Sequence, residues 1–196
     1  MRIPSKKQCY QLISEMGMLD HIVLHSILVC QVATILVDNL KVKENNLNRD
    51  LVQASALLHD ITKTRSFTTR ENHAHTGDRL LSSLGYPEVG YIVGQHIRLD
   101  DYVVSETPAE VEIVNYADKR VLHDKVVSLQ ERMNYILDKY GKESELRERI
   151  LWLWRKTKEM EERLFECLPF FPDELNRFLK PEDCSADLLA YHEVCA

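Results

Sequence analysis

Residues 56–63 read Ala-Leu-Leu-His-Asp-Ile-Thr-Lys, so an apolar run is followed at once by a histidine and an aspartate. The apolar run indicates the end of a helix that begins near Asn48 or Asp50. A helix that ends beside a polar loop can direct the His59 imidazole and the Asp60 carboxylate into one cavity. Imidazole nitrogen and carboxylate oxygen together suit divalent ions such as Mn, Fe, Co, Ni and Zn. The pair by itself is weak evidence for a metal site, because adjacent His-Asp pairs also occur by chance at protein surfaces.

Helical signals continue on both sides of this stretch. Capping residues, apolar spacing and terminal Gly or Pro residues predict helices over 5–17, 20–40, 48–58 and 73–84, with further helices starting at Pro87 and Pro108. The polar segment 41–48 and the Thr-rich segment 61–71 lack apolar periodicity and predict loops. Val103 and Val104 form too short a β-branched run to predict a strand. The sequence therefore predicts an all-α fold.

Two amphipathic stripes follow residue 125. Segments 126–140 and 146–164 carry apolar residues at alternating spacings of three and four, which is typical of helices with one buried face. They predict a helical hairpin packed on the main body, and the alternative is a homodimer interface through these C-terminal helices. A short helix is predicted near 173–179, with no helix after it. The chain is divided into a helical domain, 1–125, and C-terminal amphipathic helices, 126–196, which form one structural unit with it.

Composition excludes several classes of protein. The chain has 25 basic and 31 acidic residues, and its formal net charge of −6 offers no basic field for a long nucleic acid. Its five cysteines include no Cys-x-x-Cys pair, so reduced thiols are expected rather than a zinc knuckle. The apolar run 22–37 is interrupted by His25, Ser26 and Gln31 and predicts a buried helix instead of a membrane span. We expect a cytoplasmic protein without a membrane partner.

Two more polar residues lie in apolar surroundings. His25 is in the middle of a predicted helix, and Asp118 ends the run Ile-Val-Asn-Tyr-Ala-Asp. Each has an ordinary explanation, His25 as a hydrogen-bonded core histidine and Asp118 as an exposed or paired carboxylate. A buried carboxylate without a partner is destabilising, so it must be paired, exposed or bound to a cation. One shared metal site accounts for these residues and the His-Asp pair together.

This ordered set resembles the HD-domain metal-dependent phosphohydrolases. Their pattern is an early helical histidine, a His-Asp pair that ends a later helix, and a distal aspartate. Residues 56–63 are similar to the HDIG variant of the motif, with Thr62 in place of the usual glycine. Many members carry two more histidines, which match His73, at the start of the pattern His-x-x-x-Gly, and His96. The resemblance covers about residues 20–125 and implies an HD-domain-like helical bundle with a C-terminal helical extension.

The resemblance also implies a set of metal ligands. The first ion would be held by His25, His59, Asp60 and Asp118. Asp60 would bridge to a second ion held by His73 and His96. The implied cofactor is one or two divalent metal ions, drawn from Mn, Fe, Co, Ni, Zn or Mg.

One departure from the family pattern narrows the range of possible substrates. The two-metal cyclic-dinucleotide phosphodiesterases usually show a His-His pair and a Gly-Tyr-Pro motif. Here His96 is followed by Ile97, and Gly85-Tyr86-Pro87 falls before that histidine. This weighs against an enzyme that acts on cyclic dinucleotides. The chain also lacks the glycine-rich patterns of P-loop and Rossmann nucleotide sites.

The implied activity is hydrolysis of a phosphomonoester or phosphodiester by a metal-activated hydroxide. The expected partner is a nucleotide or another small phosphorylated metabolite. Asp60 and Lys63 are the predicted catalytic residues. Lys63, Arg65 and Arg98 are the predicted substrate-binding residues, because their charges suit phosphate oxygens. The ordinary alternative for these three cations is a solvated surface position.

Two other functions remain open from the sequence. The chain could be a non-catalytic module that binds a nucleotide or metal, with the C-terminal hairpin as its partner surface. It could also be a di-iron oxygenase on the same scaffold, since the same nitrogen and oxygen ligands hold iron. His21 is interpreted as exposed, and the second pair, His123–Asp124, as pocket rim or surface. His75 is a rival of His73 for the same ligand position, and the spacing to Gly77 favours His73.

Overall fold

Ten α-helices and one short β-hairpin form the computed structural model, which describes residues 1–41, 47–101 and 107–195. The helices are α1 (Lys6–Glu15), α2 (Asp20–Asn39), α3 (Arg49–Leu58), α4 (Lys63–Thr69), α5 (His73–Ser83), α6 (Pro87–Gly94), α7 (Glu110–Lys119), α8 (Leu129–Tyr140), α9 (Ser144–Glu166) and α10 (Pro181–Cys195). Strands β1 (Val121–Leu122) and β2 (Lys125–Val126) pair antiparallel, with Val121 opposite Val126. The predicted all-α fold class is confirmed.

Helix α2 is the central element of the bundle and packs against α3, α7 and α10. It is apolar on most of its faces, and Ile27, Val29 and Leu36 have no exposed surface. By length and composition α2 could cross a membrane, since its most apolar window has a mean hydropathy of 1.7, but 67% of that window is buried inside the protein. This burial agrees with the predicted buried helix. The cytoplasmic location stays a prediction.

Helix ends are set by local side-chain caps. Ser5 forms the predicted capping box with Gln8 at the start of α1, and Asn48 caps α3 by accepting from the Leu51 amide. Asn72 accepts from two backbone amides of α5, so that His73 becomes the first residue of that helix. Helix α2 has no such cap, because Leu19 occupies the cap position without a side-chain bond and Asp20 is the first helical residue.

The structure corrects two predicted irregular segments. The segment 61–71 was predicted to be a loop, yet it contains α4, whose residues are all at least partly exposed and therefore show no apolar stripe. The tail beyond 179 was predicted to have no helix, yet α10 packs on α1 and α2. Its anchor is Tyr191, whose ring lies edge-on to Tyr10 at 5.9 Å. This contact joins residues at opposite ends of the chain, so no local pattern indicates it.

Smaller differences concern helix ends and chain segments. The helix expected from Pro108 begins at Glu110, and the short helix near 173–179 is a 3₁₀ turn over Pro172–Arg177. The first amphipathic stripe was expected to start at Val126, but that residue lies in β2 and the helix starts at Leu129. Most of the predicted loop 41–48, and Val103 and Val104, lie outside the described residues.

Helices α8 and α9 form the predicted hairpin, and the second half of α9 packs on α7. Thr157, Met160 and Leu164 are buried there. A polar network strengthens the attachment: Tyr116 of α7 donates to Glu161 of α9 at 2.5 Å, and Arg120 donates to Tyr116 and to the Val127 carbonyl oxygen. Apolar residues from both parts of the chain belong to one hydrophobic core. The division at residue 125 stays a prediction.

The first half of α9 is different, because several of its apolar side chains are exposed, although Trp154 packs against the core. Leu146, Leu151 and Trp152 are each about two-fifths exposed. The predicted homodimer through the C-terminal helices would bury this surface, and it stays a prediction.

Helices α5 and α6 cross closely because α6 presents two glycines to α5. A Cβ atom added to Gly90 would lie 2.7 Å from Asp78 Oδ1 and 2.8 Å from both the Asp78 carbonyl oxygen and Ser82 Oγ. A Cβ atom at Gly94 would meet its nearest neighbour, Asp78 Cβ, at 3.3 Å. The crossing matters for the site described below, since α5 begins with His73 and His96 follows the end of α6.

We expect Gly90→Ala to lower the free energy of unfolding by about 1–3 kcal/mol, because the new methyl group would overlap a backbone carbonyl that cannot rotate away. Gly94→Ala is the matched control, because its methyl group would overlap less with Asp78. The higher helix propensity of alanine, worth about 1 kcal/mol, should largely offset that overlap and leave the free energy of unfolding nearly unchanged. Urea unfolding followed by circular dichroism measures both. Equal stability of the two variants would contradict this account of the crossing.

Candidate metal centre

The His-Asp pair lies where α3 ends. His59 is completely buried and donates its Nδ1 hydrogen to the Ala56 carbonyl oxygen at 2.8 Å, which turns Nε2 away from the helix. Asp60 is also completely buried. Thr62 replaces the usual glycine of the motif. Its hydroxyl oxygen is 2.8 Å from the His73 carbonyl oxygen and 2.8 Å from Thr76 Oγ1. This hydroxyl joins the end of α3 to the start of α5.

A first group of ligands combines α2, the end of α3 and α7. His25, His59 and Asp60 each offer an atom within 4.8 Å of the others'. Asp118 reaches the same group from α7, with its Oδ1 3.1 Å from His25 Nε2 and 3.7 Å from His59 Nε2. Three segments that are far apart in sequence therefore converge at one place.

A second group shares Asp60 with the first. Asp60 Oδ1 lies 3.1 Å from His73 Nε2 and 3.5 Å from His96 Nε2, and the two imidazole nitrogens are 3.2 Å apart. His96 donates its Nδ1 hydrogen to the Val93 carbonyl oxygen at 2.7 Å, just as His59 does to Ala56. The other carboxylate oxygen, Asp60 Oδ2, is 3.4 Å from His59 Nε2. The two oxygens of one carboxylate thus face two different sets of imidazoles.

The geometry of these groups fits bound cations. A neutral imidazole that donates through Nδ1 carries a lone pair on Nε2, so in their neutral forms His59 and His96 can each offer Nε2 to a cation beside Asp60. His59 Nε2 and Asp60 Oδ1 are buried and have no hydrogen-bond partner. Buried polar atoms without partners are rare and destabilising, and a cation between them would satisfy both. Ligands about 2.1 Å from a common ion lie roughly 3–4 Å apart, which is the spacing found here.

The ionisation of the site favours metal binding. Burial raises the pKa of Asp60 and of Asp118, but the neighbouring imidazoles lower it by more. The pKa of each carboxyl group is therefore well below its usual range. Burial lowers the pKa of His96 to about 4 and also lowers that of His25. At neutral pH the carboxylates are ionised and these two imidazoles are neutral, which is the state that metal ligands require.

His59 is the exception among the imidazoles. Burial lowers its pKa, but the carboxylates of Asp60 and Asp118 raise it and their effect is larger. Its Nε2 faces both carboxylates, at 3.4 and 3.7 Å. A divalent cation at this position would provide the positive charge that a proton otherwise supplies.

The three basic side chains that the sequence predicts to bind substrate differ in their distance from the cluster. Lys63 contacts the cluster directly, because its Nζ is 2.7 Å from Asp60 Oδ2. Arg65 is exposed on α4 and pairs with Glu71 at 3.0 Å. Arg98 is exposed just after His96. The substrate-binding roles assigned to these three residues stay predictions.

Helix α7 supports the second group through residues that the sequence analysis missed. Asn115 donates from Nδ2 to the carbonyl oxygens of Gln95 and His96, at 2.7 and 3.0 Å. Lys119 donates to the His96 carbonyl oxygen at 3.1 Å, and burial lowers its pKa to about 8. The sequence did contain an indication of their role, since Asn115 and Lys119 are one helical turn apart and lie close to the candidate ligand Asp118. Their partners are known only from the fold.

One more cation reaches the site from α8. Arg132 Nη2 lies 3.9 Å from Asp118 Oδ1. Nothing in the local sequence distinguished this arginine from the other basic residues of the C-terminal helices. The residues interpreted as pocket rim or surface behave as expected, since His21, His123 and Asp124 are exposed, and His75, the rival of His73, is exposed too.

Comparison with known proteins gives one match. A family profile described as HD domain matches residues 22–121, a little more than half of the 196-residue chain. No curated protein and no solved structure gives a significant match. The matched stretch contains all six ligand candidates: His25, His59, Asp60, His73, His96 and Asp118. It ends before α8 begins.

We expect purified protein loaded with a divalent metal to hold about two ions per chain, because two ligand groups share one carboxylate. His73→Ala is expected to lose one ion, and Asp60→Asn is expected to lose both. Elemental analysis after dialysis measures the content. His75→Ala is the matched control, since His75 is exposed on the same helix.

A single ion that survives in His73→Ala would contradict the second group and leave only the first. Absence of metal from the parent protein under every loading condition would contradict both. Circular dichroism spectra of the variants distinguish lost ligands from lost structure.

Proposed function

The chain belongs to the HD-domain family, and from that membership we propose that it is a metal-dependent phosphohydrolase acting on a nucleotide or another small phosphate ester. The family match supports a metal-dependent hydrolase, and the two His/Asp groups could bind metal. The observation that carries the proposal is the shared carboxylate: Asp60 turns one oxygen to His73 and His96 and the other to His59. A site of this kind concentrates positive charge where a phosphate would bind.

Divalent ions held by these six residues would supply charge stabilisation of the phosphate oxygens and a nucleophile at neutral pH, by lowering the pKa of water. The protein's own contribution is a mostly buried set of candidate ligands held in fixed orientations. His59 and His96 are oriented by backbone carbonyl oxygens, and Asn115 and Lys119 hold the segment that carries His96. Hydrogen bonds to the far side of ligands maintain their tautomer and orientation.

The open side of the cluster is marked by its partly exposed members. The side chains of Lys63, His73 and Asp118 are 33%, 19% and 14% exposed, whereas those of His59 and Asp60 are essentially buried. A substrate phosphate would therefore approach beside Lys63 and His73. The chain's formal net charge of −6 favours a small phosphorylated metabolite over a long nucleic acid.

Lys63 is proposed to bind the substrate while it keeps its contact with Asp60. Its ammonium group is 2.7 Å from Asp60 Oδ2 and one-third exposed, so it can donate to the carboxylate and to a phosphate oxygen together. This charge would neutralise a non-bridging oxygen as the ester is cleaved. Asp60 orients the lysine through Oδ2 and, with one oxygen facing each ligand group, would align the two groups relative to each other.

The test is a panel of phosphate esters, including nucleoside monophosphates and p-nitrophenyl phosphate, with protein loaded in turn with Mn, Fe, Co, Ni, Zn and Mg. We expect phosphate release with at least one ion, and no detectable turnover for His59→Ala. Lys63→Met should lower kcat/KM by about 10- to 100-fold, the cost of one charged hydrogen bond. His123→Ala is the matched control, because His123 belongs to the exposed second His-Asp pair.

Loaded protein without turnover on any ester would contradict the proposal. Tight nucleotide binding in that case would favour the non-catalytic module. Turnover that depends on O₂ and on bound iron would favour the oxygenase.

A further inference from the structure

Arg132 is brought to the metal centre by the C-terminal extension. It lies in the first turn of α8, outside the stretch that the family profile matches. Its guanidinium group nevertheless lies beside Asp118, with Nη2 3.9 Å from Oδ1, and only 16% of its side chain is exposed. The hairpin β1–β2 and the capping box of Ser128 and Glu131 set the direction in which α8 starts.

The donors of this arginine are incompletely used. Its Nε atom is buried and has no hydrogen-bond partner, and 3.9 Å is too long for a hydrogen bond to Asp118. A guanidinium group has five N–H donors in a planar fork, and leaving a buried one unpaired is destabilising. The two terminal nitrogens of the fork match the oxygen pair of a phosphate group, which would bind them while the charge stays beside Asp118.

The charges around the site favour a doubly charged ligand. Two carboxylates, Asp60 and Asp118, are matched by two cations in contact with them, Lys63 and Arg132. Lys119 adds a third cation whose donors are taken by His96 and Asn115. Every divalent ion that binds would therefore leave the site with excess positive charge. A terminal phosphate carries about −1.5 to −2 charges near neutral pH, whereas a diester carries only one, so the terminal phosphate is the better match.

We propose that Arg132 is a substrate-binding residue that holds the terminal phosphate of a phosphomonoester, with Lys63 donating to the same group from α4. The proposal deepens the phosphohydrolase function and rests on it for the place where the phosphate binds. The C-terminal extension thereby adds a cation to the site from outside the stretch that the family profile matches. The competing explanation is that Arg132 serves only to balance the charge of Asp118.

The experiment measures the binding of inorganic phosphate to metal-loaded protein by isothermal titration calorimetry. We expect Arg132→Met to bind phosphate about 10- to 100-fold more weakly than the parent, as the loss of a charged, bidentate contact predicts. Arg132→Lys should fall between the two, since an ammonium group keeps the charge but loses the fork. Arg149→Met is the matched control, because Arg149 is exposed on α9. Elemental analysis should show the same metal content in all four proteins.

Steady-state kinetics provide a second readout. Arg132→Met should raise KM for p-nitrophenyl phosphate more than it lowers kcat, and it should affect bis(p-nitrophenyl) phosphate less than the monoester. Circular dichroism and thermal unfolding establish that the variants are folded.

Phosphate affinity in Arg132→Met equal to that of the parent would overturn the proposal. So would a changed metal content with unchanged phosphate affinity per bound metal, which is the result expected if Arg132 only balances Asp118. A parent that binds phosphate through Arg132 but hydrolyses no ester would contradict the proposed function and leave the assignment of Arg132 supported by binding.

Discussion

The carboxylate of Asp60 is the group on which the arrangement of the helices depends. It is completely buried at the end of α3, and a buried charge is strongly destabilising unless other groups compensate it. The compensating groups come from separate elements: Lys63 from α4, His73 from α5 and His96 from the end of α6. Each of these elements must therefore end or begin beside Asp60. The crossing of α5 and α6, with only glycine hydrogens between them, allows the two histidines to approach within 3.2 Å.

Backbone atoms control the orientation of the ligands as much as the side chains do. His59 and His96 each follow the end of a helix and donate to a carbonyl oxygen three residues earlier. Helix ends leave carbonyl groups without intrahelical partners, so they offer acceptors at the point where the imidazole needs one. The same donation leaves Nε2 free to bind a cation. Asn115 and Lys119 extend this principle, since they bind the carbonyl oxygen of His96 from the neighbouring helix.

The C-terminal helices contribute more than an additional layer of packing. Arg120 and Tyr116 join the end of α7 to α9 and to the loop before α8, in surroundings where both side chains are buried. This attachment fixes where α8 begins and so places Arg132 beside Asp118. Buried polar networks of this kind favour one arrangement of the helices over others, because any shift would leave charged groups without partners.

Local interactions made much of this protein predictable from its sequence. The caps at Ser5 and Asn48 depend on side chains that bond to nearby backbone, so the sequence marked where α1 and α3 begin. The order of histidines and aspartates indicated the family and the ligand candidates. The exposed helix α4 was missed because no buried stripe identifies it. Helix α10 was missed because Tyr191 packs on Tyr10, near the other end of the chain. The position of Arg132 was decided only by tertiary structure, since the contact with Asp118 depends on how two helices pack and not on the residues adjacent to either one.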